Sequence, residues 1–322
     1  KSTRKLRFED NTRLPLPHVD FKLDCFKKLY QEMTVATRKF KKTVVLVKNC
    51  TAIKISYGIG GIHSVNKNEI YKEDEENLVY TSDVASLYPN LIINYVAIRF
   101  PSVLKKYAEV KDDRIEAKAK GLKSKDALLK LILNATSGLI DNKHSWLYYP
   151  EGAMKMRLMG QLIMTKTVED LVIANFQVLS VNTDGVEVIV PKVREEEYLK
   201  IIESVGDYFN LLFDSEKYKQ ILYQNVNSYI AETYSTKSPV KQKGFFVEKP
   251  KLSDGIDFLV LPKALNAYFL HSIEPEEFIR NHKEIYDFCA SKKVDKSYEV
   301  KWTTPEGNTS KQQRLNRFYA ST

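Results

Sequence analysis

Two β-rich stretches of this chain each place one aspartate at a turn, and this pairing restricts the fold more than any other feature of the sequence. The first is the apolar run of residues 78–80, which leads to Asp83. The second is the region of residues 178–190, in which two β-rich halves flank an Asn-Thr-Asp-Gly turn with Asp184 at its tip. Short apolar runs predict buried strands, and the turn predicts a hairpin in which Gly185 takes a positive φ.

The residues after Asp83 predict a turn rather than a helix. Pro89 fixes its own φ and disfavours helical geometry at Tyr88, so an extended backbone is predicted there. A carboxylate at a strand exit, beside a turn with free N–H groups, suits a divalent metal that carries phosphates. Taken alone, Asp83 is equally well explained as a capping residue. Two strands that each present an aspartate at one end of a sheet can hold two hard cations for phosphoryl transfer.

Four stretches resemble motifs of the family B DNA polymerases. Residues 83–90, Asp-Val-Ala-Ser-Leu-Tyr-Pro-Asn, resemble motif A, and residues 182–185 resemble motif C, where the family usually has Asp-Thr-Asp-Ser. Residues 130–138, Lys-Leu-Ile-Leu-Asn-Ala-Thr-Ser-Gly, resemble motif B, with Ser137 in place of the usual tyrosine. Residues 57–61, Tyr-Gly-Ile-Gly-Gly, are similar to the Tyr-x-Gly-Gly template loop, with one extra residue.

The resemblance implies the polymerase half of such an enzyme, similar to those of phages. The implied fold is α+β, with an antiparallel palm sheet, a helical fingers hairpin and a small thumb. The implied reaction is template-directed attack of a primer 3′-hydroxyl on the α-phosphate of a dNTP. Asp83 and Asp184 are the implied catalytic residues. Together with the Val84 carbonyl they are the implied ligands of two Mg²⁺ ions, with Mn²⁺ as an alternative.

The same resemblance implies a nucleotide site. The backbone amides of Ser86 and Leu87 would receive phosphate oxygens, and Tyr88 would lie under the sugar as a steric gate. The implied triphosphate contacts are side chains of two predicted helices, Arg114, Lys118, Lys130 and Asn134. Arg114 and Lys118 lie one turn apart, as do Lys130 and Asn134, so each pair shares a helix face. A solvated helix face remains the alternative explanation for any one of these cations.

Contacts with primer-template DNA are implied at two places. The template loop and motif C supply Tyr57, Gly60, Gly61 and Thr183. The basic stretch of residues 241–245 is similar to the family's Lys-x-Tyr region, with Phe245 in place of tyrosine. Strand alternation predicts Lys241 and Lys243 on one face, spaced for successive phosphates, with a lysine-protected strand edge as the alternative. The net charge of +9 over 322 residues fits a polyanionic partner, or simply solubility.

The resemblance divides the chain into five segments. Residues 1–56 are an N-terminal arm and linking segment, and residues 57–100 are the first part of the palm. Residues 101–141 are the fingers, residues 142–236 the second part of the palm, and residues 237–322 the thumb. A proofreading exonuclease needs upstream carboxylates that residues 1–56 do not provide. The expected partners are therefore primer-template DNA, dNTPs and a separate exonuclease or other replication subunit, unless the exonuclease lies on missing sequence or is absent.

The remaining composition suggests where such a chain works. The three cysteines, Cys25, Cys50 and Cys289, have no metal-ligand spacing, which fits a reducing cytoplasm and, by the resemblance, the host cytoplasm of a phage. No apolar run reaches membrane-spanning length, and no signal peptide is evident. The chain starts at Lys1, which suggests a piece of a longer polypeptide, a processed product or a missing beginning.

A different class of function is a non-catalytic DNA-binding replication subunit that keeps a decayed polymerase palm. The departures at Asn182, Gly185 and Ser137 favour this alternative. The presence of Asp83 and Asp184, together with the motif residues that surround them, argues against it. A primase or reverse transcriptase is disfavoured by the Ser-Leu-Tyr-Pro turn and the Lys-x-x-x-Asn helix.

Overall fold

The computed structural model describes residues 16–36, 39–96, 100–248 and 258–318, so the first 15 residues of the predicted N-terminal arm lie outside the described residues. The fold is mixed α+β with antiparallel sheets, which confirms the predicted fold class. The chain divides into two compact units, Lys1–Gln220 and Ile221–Thr322. Within the described residues, no helix combines the length and the apolar character needed to cross a membrane.

Among the described residues, the first unit contains six α-helices and the strands β1 to β7, and β8 starts in it. The helices are α1 (Asp24–Thr34), α2 (Leu87–Leu91), α3 (Pro101–Ala119), α4 (Lys123–Leu139), α5 (Pro150–Ile173) and α6 (Glu195–Phe209). The strands are β1 (Lys41–Lys48), β2 (Thr51–Gly58), β3 (Gly61–Ser64), β4 (Lys67–Lys72), β5 (Asn77–Val84), β6 (Gln177–Val181), β7 (Gly185–Pro191) and β8 (Phe213–Asn225).

The main sheet of the first unit has the order β8-β5-β7-β6, and all of these neighbours are antiparallel. Strand β5 is central and almost wholly buried, as its apolar run predicts. Its side chains alternate between the two faces. Ser82 faces α6, where its Oγ lies 2.6 Å from the Tyr198 hydroxyl. Asp83 therefore faces the opposite side of the sheet.

Helix α5 is the core helix of this unit. It is apolar nearly all round and buried along most of its length, as expected of a helix covered on every side. Buried polar side chains of this helix form hydrogen bonds with the backbone of other segments. Glu169 Oε1 accepts the backbone N–H groups of Lys22 and Leu23 at 2.8 and 2.7 Å, and Gln161 Nε2 donates to the Gly58 carbonyl at 2.7 Å.

Helices α3 and α4 form the predicted hairpin. Gly121 joins them with φ +69°, and the Tyr107 hydroxyl of α3 donates to the Leu133 carbonyl of α4 at 3.0 Å. The apolar run of α4 is only partly packed, since Leu133 is buried whereas Leu128 and Leu131 are 58% and 65% exposed.

The second unit begins with the end of β8 and continues with β9 (Ser228–Thr233) and β10 (Val240–Lys243), which pair antiparallel. Helices α7 (Val260–His271) and α8 (Pro275–Asn281) follow, and α8 begins at Pro275. The chain turns at Asp287, whose buried carboxylate accepts from Lys263 and lies 2.6 Å from His282 Nε2.

Four short strands end the described chain. They are β11 (Ala290–Lys293), β12 (Val300–Thr303), β13 (Thr309–Gln312) and β14 (Leu315–Phe318), paired β11 with β14 and β12 with β13. These strands are not predictable from the sequence, because strands of four residues in a polar tail carry no clear hydrophobic alternation.

Candidate active site

Asp83 and the β6–β7 hairpin meet through the strand ladder. Asp83 lies opposite Gly185 of β7 and opposite Asp214 of β8. A Cβ atom on Gly185 would overlap the Asp83 carboxylate oxygen Oδ1. Among the described residues, the glycines with positive φ do not include Gly185, so the predicted positive φ was wrong. The glycine is required because the Asp83 carboxylate occupies the space of its side chain.

The turn that carries Asp184 is held by Asn182. The Asn182 side-chain oxygen accepts the N–H groups of Asp184 and Gly185, both at 3.1 Å, which is the bonding of an Asx turn. The Val84 N–H donates to the Asp184 carbonyl at 2.6 Å. The two aspartate-bearing turns are therefore joined directly, and the amide at position 182 shapes one of them.

The turn after β5 differs from its prediction. Ser86 takes a left-handed conformation with φ 52° and ψ 49°, and α2 begins at the next residue. Tyr88 is helical, so the predicted extended backbone was wrong. Pro89 is tolerated because the N–H groups of a first helical turn have no intrahelical partner in any case. Asn90 fixes this turn, since its N–H donates to the Ser86 carbonyl at 3.1 Å and its Nδ2 to the Ala85 carbonyl at 2.9 Å.

A cavity of about 630 Å³ opens beside these turns. Its lining includes ten of the residues predicted from the motifs, which come from β5, α2, α3, α4 and the β6–β7 turn: Val84, Ser86, Leu87, Tyr88, Arg114, Lys118, Lys130, Asn134, Thr183 and Asp184. Asp83 is not in the lining, and its half-buried carboxylate lies against Gly185 instead. Val84 and Asp184, which are 100 positions apart in the sequence, therefore line one cavity.

Cations dominate one wall of this cavity. Lys111, Arg114 and Lys118 of α3 lie at i, i+3 and i+7, and Lys130 of α4 joins them. In the described part of the chain, neither Lys118 nor Lys130 forms a salt bridge. Lys111 was missed by the sequence analysis, although its spacing from Arg114 could have identified it. The two ammonium groups of this wall that are unpaired among the described residues, those of Lys118 and Lys130, fit a polyanionic ligand.

Asp214 is a second residue that the sequence analysis missed. It is exposed, lines the cavity together with Asp184 and lies opposite Asp83 in the ladder. Only the strand register reveals this position. Among the described residues, no three His, Cys, Asp or Glu side chains form a group able to hold a metal ion. The two predicted aspartates and the Val84 carbonyl nevertheless offer oxygen donors, the ligand type that Mg²⁺ takes, and Mg²⁺ sites commonly complete their shell with water and substrate phosphates.

The glycine hairpin between β2 and β3 lies against the motif C turn. Gly61 has φ +140°, and a Cβ atom there would lie 2.7 Å from Thr183 Oγ1. Gly60 is exposed. Tyr57, predicted to contact DNA, is 1% exposed and accepts a hydrogen bond from Thr165 Oγ1 at 3.2 Å. The prediction for Tyr57 was wrong, because its ring belongs to the core between β2 and α5.

Tyr88 lines the cavity and is half-buried. Burial raises the pKa of its hydroxyl, while the nearby Arg157 lowers that pKa and Asp184 raises it. The phenol is therefore neutral at ordinary pH and presents an uncharged ring to the cavity.

Lys241 and Lys243 belong to β10 of the second unit, two residues apart in an antiparallel strand. Lys243 Nζ lies 5.7 Å from the centroid of the Tyr229 ring. The alternation that was predicted from the sequence is thus present in the strand.

Comparisons with known proteins give a distant structural similarity. No family model and no curated protein matches the sequence. Among solved structures, the chain is similar to the family B DNA polymerase from the hyperthermophilic archaeon Pyrobaculum calidifontis, with a TM-score of 0.48 and 15% sequence identity. The similarity covers 88% of this chain and 38% of that one, so the chain spans less than half of the archaeal protein's length.

Proposed function

We propose that the chain catalyses template-directed DNA synthesis as a family B-type polymerase. The observation that carries the proposal is the 630 Å³ cavity, which combines a cationic wall with the turn that bears Asp184 and the turn that follows Asp83. A nucleoside triphosphate needs cations for its phosphates and carboxylates for the metal ions that accompany it. Four cations line this space together with Asp184, and the Asp83 carboxylate lies against the neighbouring Gly185.

In this proposal Asp83, Asp184 and the Val84 carbonyl hold two Mg²⁺ ions, with Mn²⁺ as an alternative. The metal ions would neutralise phosphate charge and lower the pKa of the primer hydroxyl. Both carboxylates must be ionised for this role.

The remaining residues bind and orient the nucleotide. Arg114, Lys118, Lys130 and Asn134 hold the triphosphate, and the amides of Ser86 and Leu87 contact its oxygens. The primer 3′-oxygen then forms a bond to the α-phosphorus, while the bond from that phosphorus to the β-phosphate oxygen breaks and pyrophosphate leaves.

The DNA contacts and partners follow the same proposal. Gly60, Gly61 and Thr183 guide the template, and Lys241 with Lys243 positions the primer-template duplex through its phosphates. Residues 101–141 act as fingers and residues 237–322 as thumb. A separate exonuclease or other replication subunit is the expected protein partner. The three free cysteines suit the reducing cytoplasm of a phage host.

Extension of a labelled primer on a longer template tests the proposal. With Mg²⁺ and four dNTPs, we expect the purified chain to lengthen the primer, EDTA to stop the reaction and added Mg²⁺ to restore it. DNA binding without extension in Mg²⁺ or Mn²⁺ would instead indicate the non-catalytic replication subunit. That alternative loses part of its support because Asn182 holds the Asp184 turn and Gly185 makes room for Asp83.

Lys130→Ala is expected to impair nucleotide use. Loss of a charge-assisted contact to phosphate costs about 1.5–3 kcal/mol, or about 10- to 150-fold in kcat/KM for the dNTP. Single-nucleotide insertion kinetics measure this. The control is Lys125→Ala, which removes an exposed lysine of α4 that does not line the cavity. Equal kinetics for both variants would show that Lys130 is only a solvated helix residue.

Tyr88→Ala is expected to relax sugar discrimination. The ring lines the cavity near Asp184, so a 2′-hydroxyl on a bound sugar would meet the ring without a hydrogen-bond partner. We expect the ratio of ribonucleotide to deoxyribonucleotide insertion to rise by about 10- to 200-fold. Tyr88→Phe keeps the ring and should keep the ratio. A purely structural Tyr88 would give equal losses for both sugars in a less stable protein.

A further inference from the structure

Arg114 has two fixed side-chain partners at the cavity. Its Nε donates to Asp126 Oδ1 at 3.0 Å, and its Nη1 donates to Ser86 Oγ at 2.9 Å. The Arg114 and Asp126 side chains are 17% and 29% exposed. Other ion pairs of the same hairpin, such as Lys106 with Glu109, are far more exposed. The Asp126 pair is thus shielded from the solvent screening that weakens surface pairs.

This link joins three elements of the first unit. Arg114 lies in α3, Asp126 lies in the first turn of α4, and Ser86 directly precedes α2. Ser86 has φ 52°, a conformation that a non-glycine residue keeps only where its surroundings hold it. Arg114 supplies one of the bonds that hold it, and Asn90 supplies another. The orientation of the guanidinium and the shape of the turn are therefore connected.

We propose that Asp126 is the positioning residue for Arg114. Its carboxylate fixes the guanidinium between the helical hairpin and the Ser86 turn, so that a nucleoside triphosphate meets an oriented fork of donors rather than a mobile side chain. Fixing a charged side chain before the ligand arrives lowers the entropy that binding must remove. The inference rests on the proposed function, since it assigns Asp126 to the same nucleotide site.

Asp126 has a structural alternative. An acidic residue in the first turn of a helix interacts favourably with the helix dipole, and α4 has no other acid there. This role would make Asp126→Ala less stable, and it would do so whether or not Arg114 is present. The two roles are separated by whether the effect of the substitution depends on Arg114.

The test is a double-mutant cycle read by the affinity for dATP with Mg²⁺ and by insertion kinetics. Asp126→Ala is expected to weaken dATP affinity and raise the KM for dATP by about tenfold, with kcat changed by less than about threefold. In an Arg114→Ala background the same substitution should change affinity by less than about twofold. Asp113→Ala is the matched control, because it removes an exposed acid next to Arg114 that does not line the cavity.

The proposal would be overturned if Asp126→Ala reduced dATP affinity equally with and without Arg114. It would also be overturned if Asp126→Ala left dATP affinity unchanged. Asp126→Asn removes the charge but keeps the size and one acceptor oxygen, so it provides a milder version of the cycle should the alanine variant not fold. The two proposals fail separately. A wild-type chain that extends no primer rejects the polymerase function, whereas equilibrium dATP binding still decides whether Asp126 acts through Arg114.

Discussion

Asp83→Asn and Asp184→Asn are each expected to abolish primer extension while DNA binding stays nearly intact. Both carboxylates are assigned to metal ions that serve the chemical step, and such ions supply several kcal/mol of charge stabilisation in the transition state. We therefore expect a loss of extension rate on the order of a thousandfold or more. Asparagine keeps the size of aspartate, so the fold should be preserved. Single-turnover extension measures the rate of the chemical step, and filter binding measures the affinity for primer-template duplex.

The matched control is Asp207→Asn, an exposed aspartate of α6 that does not line the cavity. It should extend primers like the wild-type chain. If both Asp83→Asn and Asp184→Asn extended at near wild-type rates, the catalytic assignment would have to be abandoned.

Gly185→Ala is expected to have a comparably large effect through Asp83. The added methyl group would overlap Asp83 Oδ1, so either the carboxylate or the β5–β7 ladder must shift. A misplacement of about 1 Å in a catalytic group costs about a hundredfold in rate, and we expect at least that loss of extension. Extension kinetics together with the thermal unfolding midpoint measure the effect on activity and on stability.

Gly160→Ala separates this effect from a general intolerance of buried glycines. A Cβ atom at Gly160 would meet the Leu87 side chain at 3.5 Å, an ordinary contact. We expect this variant to stay active. Full activity in Gly185→Ala would mean that the position of the Asp83 carboxylate does not matter for the reaction.

The two aspartates were predictable because each follows a local pattern. Asp83 ends an apolar run and Asp184 lies between two β-rich runs, so their place at strand ends can be read from a few neighbouring residues. The helical hairpin was equally predictable, since Gly121 interrupts two long helical patterns. The cations on it share faces through simple i, i+4 spacing.

Other features depend on which strands pair and in which register. Asp214 lies opposite Asp83 only because β8 pairs with β5, and Gly185 is needed because of what lies across the ladder rather than because of its own turn. Tyr57 belongs to the stretch that resembles the Tyr-x-Gly-Gly loop, yet the alternation of side chains along β2 places its ring in the core. The sequence pattern alone contains none of this information, since a register is set by distant residues.

Local backbone rules failed at Tyr88 for a physical reason. A residue before proline is usually extended, but here α2 starts at Leu87, so Pro89 falls in a first helical turn where its missing N–H costs nothing. The unusual residue is instead Ser86, whose left-handed conformation is held by Arg114 and Asn90. Only the tertiary contacts reveal which residue of the turn carries the strain.

Template-directed choice of the incoming nucleotide tests the central claim most directly. The wild-type chain would be given four primed templates that differ only in the first unpaired base, with each dNTP supplied singly together with Mg²⁺. A template-directed polymerase should add the complementary nucleotide to each template at least about a hundredfold faster than the other three. Addition that ignores the template base, or no addition on any template, would contradict the account.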